Sequence, residues 1–293
     1  MEDLSPIAEP CRLPLRIPNE AALQDHRFLG QPVLPAVYAL ECLAQSVRSH
    51  FPETSLATAA DCRFDKFLLL PARDRSVVAA MAELTPYKAD RVEAVLLTRH
   101  VAPHSGMTRL KVHARAIFGG AVDTDAAVHA PPLKEAVAAV ECRIAPERLY
   151  AELVPFGPAF QNVVTSVRLT PEGATAVVSG GPAAAWGNGL HLGSPFPLDA
   201  AFHVACVWAQ RFAGIVAFPV ALQKRAILQK TRSDRHYQAR IRFGRREGAR
   251  LLFDLWLVDQ EERCCEVIRG LVMRDVSGGR LQPPEWLRAA VTD

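Results

Sequence analysis

Short apolar-rich runs bounded by charged or turn residues dominate the chain. They predict strands over 11–17, 56–70, 74–84, 91–102 and 107–118, and again over 162–180, 216–229, 236–243, 250–258 and 263–274. "RSVVAAMAEL" and "RLLFDLWLVD" are typical of these runs. Two segments break the rhythm with helical spacing, 36–49 and 199–213. Between the two sets of strands, "GGAVDTDAAVHAPPLKEA" (119–136) mixes Gly, Asp, Ala and a Pro-Pro pair and predicts a linker. The domain reading is an N-terminal unit over 1–130, a linker over 131–140 and a C-terminal unit over 141–293.

The two helical segments resemble one another. "LPAVYALECLAQ" (34–45) and "LDAAFHVACVWA" (198–209) align without gaps at an offset of 164 (198 − 34), pairing Leu34 with Leu198, Ala36 with Ala200, Tyr38 with Phe202 and Cys42 with Cys206. Each follows prolines and precedes strands, which suggests a duplicated α+β unit. A helix with so few charged positions is buried on most of its surface, and a curved antiparallel sheet wrapped around it would bury it. The expected fold is therefore α+β, a double hot-dog of two antiparallel sheets each wrapping a central helix. The two helix N-termini would open on a shared cleft.

Composition narrows the chemistry. With 49% hydrophobic and 22% charged residues over 293 positions, the chain can bury a sizeable core, and disordered and collagen-like classes are excluded. No apolar stretch approaches bilayer-spanning length, and "MEDLSPIAEP" is acidic and proline-broken where a secretory signal would be basic and then apolar, so a cytoplasmic location is expected. Seven scattered cysteines suit buried thiols in a reducing compartment. CxxC, HExxH, P-loop and GxGxxG patterns are all missing, so neither a metal nor a nucleotide is expected. His100, His104 and His113 fit no common metal set and read as a solvated sheet face. Net charge is only +3, yet residues 224–250 hold ten Lys/Arg against two Asp/Glu. Lacking interleaved surface aromatics and any accompanying binding motif, that stretch suits an acidic protein partner better than nucleic acid.

Three motifs carry the candidate chemistry. His26, Gly30 and Pro35 spell HxxxGxxxxP, "PFGPAFQ" (155–161) looks like a YGPxFQ element, and Asp199 with His203 spells DxxxH. Together, in this order, they resemble the dehydratase domains of polyketide synthases and animal-type fatty acid synthases over nearly the whole chain. Singly, His26 and Asp199 also read as an ordinary helix-entry histidine and an ordinary helix N-terminal acid.

The resemblance implies removal of water from a 3-hydroxyacyl group carried as a thioester on an acyl carrier protein, giving a 2-enoyl thioester. Neutral His26 would be the base that takes the proton from C2. Asp199 would be the acid that protonates the departing 3-hydroxyl, with His203 one turn on holding it or the leaving water. A backbone N–H at Gly30 would answer the charge on the thioester oxygen, Pro35 would fix the helix entry, and Phe156, Gly157 and Phe160 would line the substrate tunnel. No cofactor is implied beyond the carrier's phosphopantetheine. The carrier is expected to dock near Arg242, Arg245 and Arg246, beside other synthase domains, and a homodimer is compatible with the pattern.

The sequence departs from that family in two places: Phe156 stands where the motif has Tyr, and Ala36 follows the motif proline where Gly is common. Glu41 also occupies the acid position of single-hot-dog bacterial dehydratases, which raises a second, vestigial site with His191; its plainer reading is a buried structural acid. The rival functions are an enoyl isomerase or polyketide cyclase using the same His/Asp pair, or a non-catalytic acyl-binding protein.

Overall fold

A computed structural model describes residues 6–72, 77–101, 107–122, 142–182 and 189–288. In the first half the chain forms β1 (Cys11–Pro18), the two-residue strands β2 (Arg27–Phe28) and β3 (Gln31–Pro32), helix α1 (Ala36–His50), then β4 (Thr58–Phe64), β5 (Val77–Tyr87), β6 (Arg91–Val101) and β7 (Thr108–Phe118). The second half forms β8 (Cys142–Ile144), a short α2 (Pro146–Arg148), β9 (Val167–Thr170), β10 (Gly173–Ser179), α3 (Phe196–Trp208), β11 (Phe218–Ile227), β12 (His236–Glu247), β13 (Arg250–Val258), β14 (Cys264–Arg274) and a terminal turn of helix, α4 (Glu285–Arg288). The linker expected over 131–140 lies outside the described residues.

Each half wraps a helix. α1 packs on β1, β5, β6 and β7, α3 packs on β10 to β13, and the two helices touch each other. Every residue from Phe196 to Trp208 is buried, which accounts for a run with almost no polar face. α1 is more one-sided: Val37, Leu40, Leu43, Ala44 and Val47 are buried, while Gln45 and Ser49 face outward.

One expectation needs correcting. Among the described residues the two halves do not form a sheet each but share one continuous antiparallel sheet of twelve strands, in the order β1-β5-β6-β7-β4-β11-β14-β13-β12-β10-β9-β8, with β2 and β3 a separate small hairpin. The seam is the pairing of β4 with β11, from Thr58 opposite Ala226 to Arg63 opposite Ala221. Two separate sheets would each leave an unpaired edge here, and joining them satisfies both rows of backbone groups. Beside the seam a buried ion pair, Arg225 Nε to Glu266 Oε1 at 2.6 Å, links β11 to β14.

Several boundaries also moved. The run 56–70 is a strand only to Phe64; beyond it the chain becomes a strap that bonds back to the entry of α1, with Leu34 N–H on Leu68 O and Leu70 N–H on Pro32 O, both 2.9 Å. The run 162–180 is two strands, β9 and β10, folded on each other at Pro171–Glu172. α3 begins three residues before Asp199, because Pro197 falls in the first turn, where its missing N–H costs nothing.

Candidate active site

His26 leaves a 3-10 turn (Ala21–Asp25) in extended conformation and heads the β2–β3 hairpin. Val33 N–H donates to the His26 carbonyl at 2.9 Å, and the imidazole answers with Nδ1 at 3.0 Å from the Val33 carbonyl. A carbonyl oxygen only accepts, so Nδ1 carries the hydrogen and Nε2 is left with its lone pair. Burial lowers the pKa of His26 below its ordinary value; Asp199 pulls the other way and is outweighed. The result is an imidazole held neutral, in the tautomer a base requires.

Nε2 of His26 faces Oδ1 of Asp199 at 3.9 Å, too far for a direct hydrogen bond. The other carboxyl oxygen, Oδ2, lies 2.9 Å from Nε2 of His203, one turn along α3. That second approach is close but not aligned as a hydrogen bond, and both atoms are buried with no other partner. All three residues line one cavity of about 690 Å³, whose inner wall is apolar: Leu34, Ala39, Leu96, Phe202 and Cys206. Cys206 is two turns beyond Asp199, and burial pushes its thiol up to about 11, so it acts as wall rather than nucleophile. At the rim stand Lys66, Lys111 and Arg274 with Asp65 and Asp275, around a cluster of Phe28, Phe67 and Phe218.

The loop "PFGPAFQ" is brought against His26. Phe156 lies between the two imidazoles, with ring centroids 4.4 Å from His26 and 4.9 Å from His203, and Phe160 closes on His26 at 5.0 Å. Gly157 sits in the approach: a Cβ there would come within 2.4 Å of the Asp25 carboxyl. Asp25, absent from the sequence reading, clips this loop to the histidine beside it. Its carbonyl accepts the Gly157 N–H and its Oδ2 accepts the Ala159 N–H, both at 2.9 Å.

Gly30 is not brought to the cavity. It and Leu29 form the exposed tip of the β2–β3 hairpin, with φ of +79° and +49°, so the glycine serves a tight left-handed turn. Pro35 caps α1, and its carbonyl accepts from Tyr38 and Ala39; Ala36, the first residue of the helix, lines the cavity instead. Arg242 and Arg245 pair with Asp254 and Glu247 on an exposed face.

One further residue escaped the sequence reading, and two others were read there. Tyr150 is buried on the turn Leu149–Leu153 that continues α2, and its hydroxyl is 3.4 Å from Nδ1 of His203. The helical spacing of Leu149, Tyr150 and Leu153 after Pro146 is the signal that could have found it. His113 was expected on a solvated face but is buried in the cavity wall, between Thr98 Oγ1 (2.7 Å) and the Lys66 carbonyl (3.1 Å). Of its two companions, His100 is exposed and His104 lies outside the described residues. Glu41, by contrast, is the buried structural acid of the plainer reading: it accepts the N–H groups of His191 (2.5 Å) and Leu192 (2.9 Å) just ahead of α3. Among the described residues no three His, Cys, Asp or Glu side chains converge as metal ligands, and no helix is long and apolar enough to cross a membrane.

Comparison with known proteins bears on the same residues. The family described as "Polyketide synthase dehydratase N-terminal domain" matches residues 128–283, the stretch that carries Tyr150, Phe156, Asp199 and His203. Among solved structures the chain is similar to the dehydratase domain of a mycocerosic acid synthase-like polyketide synthase, with 19% identity and a TM-score of 0.74 over 94% of this chain and 93% of that one. It is also similar to the dehydratase domain of RzxB from Pseudomonas fluorescens, at 18% identity, a TM-score of 0.69 and coverage of 90% and 94%. The bifunctional dehydratase-cyclase domain in ambruticin biosynthesis follows at 22% identity, 0.65, and 90% and 91%. No curated protein sequence matches the chain.

Proposed function

Because the chain belongs to the polyketide synthase dehydratase family, we propose that it removes water from a 3-hydroxyacyl thioester carried on an acyl carrier protein, giving the 2-enoyl thioester. The observation that carries this reading is the gap of 3.9 Å between a neutral imidazole nitrogen and a carboxyl oxygen, both opening on one cavity. Such a pair can address neighbouring carbons of a substrate at once.

Nε2 of His26 takes the proton from C2, which the thioester carbonyl acidifies. The C2–H electron pair becomes the second bond between C2 and C3, and the C3–O bond breaks with its electrons on oxygen. Asp199 supplies the proton that turns the departing hydroxide into water. Base and acid end with their protons exchanged, and each is reset from solvent. Charge that builds on the thioester oxygen meets the start of α1, where the Ala36 N–H precedes the first intrahelical bonds. This assigns to Ala36 the role expected of Gly30. Only protons and one water change place, so the reaction calls for no redox cofactor.

The carrier brings its substrate to the rim, where Lys66, Lys111 and Arg274 offer positive charge. Arg246 lies opposite Leu251 and Leu251 opposite Met273, which lines the cavity, so the expected basic patch shares a rung with the cavity lining, ~10 Å away at ordinary strand spacing.

The test is mass spectrometry of a carrier-bound 3-hydroxyacyl chain incubated with the protein. Loss of one water supports the dehydratase. Isomerisation of an enoyl chain by the same pair would leave the mass unchanged, and an acyl-binding protein would retain the substrate unaltered.

A further inference from the structure

Tyr150 packs against His203 and, unlike His26, Asp199 and His203, is not among the residues that line the cavity. Its oxygen accepts the Val163 N–H at 2.8 Å, and the Asn162 N–H bears on the same atom. With its lone pairs engaged by backbone donors, the hydroxyl has its own hydrogen to place, and Nδ1 of His203 is 3.4 Å away. Burial pushes the phenol's pKa up, so that hydrogen stays on the oxygen. The two rings are nearly perpendicular, at 86° with centroids 5.9 Å apart, and the polar contact between them is the one from the hydroxyl to Nδ1.

We infer that Tyr150 is a positioning residue for the acid: its hydroxyl donates to Nδ1 of His203, which puts the imidazole hydrogen on Nε2, against Oδ2 of Asp199. The inference deepens the dehydratase reading and rests on it for its kinetic part. Which nitrogen of an imidazole bears hydrogen is set by what the other one bonds. At 2.9 Å the alternative tautomer has two outcomes, both unfavourable to the reaction. Either lone pairs of Nε2 and Oδ2 face each other, or the acid's proton sits between them, on the oxygen turned away from His26. With hydrogen on Nε2, the positive end of that N–H lies beside Oδ2 at 2.9 Å, short of hydrogen-bond alignment, and the proton to be delivered belongs on Oδ1, the oxygen that faces His26 across the cavity. Phe156 touches the same imidazole but has no hydroxyl to compete for it.

The test uses Tyr150→Phe, His203→Gln and the double variant. A glutamine amide can donate to Asp199 without any tautomer to be set. Tyr150→Phe should therefore lower kcat by roughly tenfold to a hundredfold with KM little changed, part of the roughly 10²–10⁴-fold that a general acid contributes. The same change in the His203→Gln background should cost less than about twofold, the non-additivity expected of residues acting through one another. Equal losses in both backgrounds would overturn the inference, since a purely structural tyrosine is felt either way. A second reading needs no substrate: 15N NMR of the resting protein should show His203 with hydrogen on Nε2, and a mixed or reversed tautomer in Tyr150→Phe. An unchanged tautomer would overturn the role of Tyr150 whatever the reaction proves to be, while a changed tautomer with no water loss by any form of the protein would fault the dehydratase reading alone.

Discussion

Nε2 of His26 and Oδ1 of Asp199 face each other across 3.9 Å although the residues are 173 positions apart (199 − 26) and belong to different halves of the chain. Neither half has the pair alone. The continuous sheet, through the β4–β11 seam, holds the loop ahead of α1 in register with the first turn of α3.

Removing either member should stop water loss without unfolding the protein. His26→Ala and Asp199→Asn are each expected to lower the dehydration rate by about 10²–10⁴-fold, the usual contribution of a positioned acid or base. Mass spectrometry of the carrier-bound product measures this, with circular dichroism to check the fold. A rate within a few-fold of the wild type for either variant would mean that the chemistry lies elsewhere.

The acid limb of the pH profile should fall below the ordinary histidine range. In the proposed reaction neutral His26 is the reactive form, and burial lowers its pKa from 6.5. The kcat/KM of the free enzyme is therefore expected to hold on acidification through 6.5 and drop only at lower pH. A midpoint at or above 6.5 would indicate a charged or exposed base.

Both buried imidazoles should also make the fold acid-sensitive. His26 and His113 have folded values lowered by burial, so just below 6.5 the unfolded chain binds more protons than the native one. Stability is then fully present above that pH and declines as pH falls toward the folded values. Thermal midpoints measured from pH 8 down to 5 should decline, and less steeply in His113→Gln. A pH-independent midpoint would contradict the burial of these rings.

How far the sequence reached is clear from particular residues. Strand runs and both long helices were legible because period-two and helical spacing persist along them, and His26, Asp199 and His203 stood out because their motifs, in this order, resemble those of a known family. The single sheet was not legible, since pairing of β4 with β11 is a choice between edges that no local pattern encodes. The role given to Gly30 failed for a related reason. Its spacing fits a turn as well as a donor, and only the register of β2 with β3 shows that it turns outward. Tyr150 and Asp25 were hidden because each acts on a residue far along the chain, at His203 and at Gly157.

Gly157 should tolerate no side chain. An added Cβ would meet Asp25 at 2.4 Å, so Gly157→Ala must push the Asp25 carboxyl away and release the clip on the loop that carries Phe156. A cost of about 1–3 kcal/mol is expected from such overpacking, together with lost activity as Phe156 leaves the His26 ring. Denaturant midpoints and initial rates measure the two effects, and wild-type values in both would show that the loop is held otherwise.

Glu41 has the position of an acid and the contacts of a strut. Both of its oxygens are taken by backbone N–H groups ahead of α3, which leaves no oxygen for a substrate. Glu41→Gln turns an amide group toward one of those donors and should cost about 1–3 kcal/mol, as for hydrogen bonds to a charged group. The rate per folded molecule should stay within about twofold of the wild type. A large loss of rate at unchanged stability would instead make Glu41 part of the reaction.

Charge on the basic face beyond the cavity should matter only when the substrate arrives on a protein. Arg245 and Arg246 lie outside the cavity, and their charges are exposed, so they can steer an acidic carrier without touching the reacting atoms. Arg245→Glu with Arg246→Glu is expected to raise KM for a carrier-bound thioester several-fold and to flatten its salt dependence. The same variant should process a free pantetheine thioester at the wild-type rate. Equal changes on both substrates would trace the effect to the fold, and no change on either would move the docking surface to Lys66, Lys111 and Arg274, whose positive charges border the opening itself.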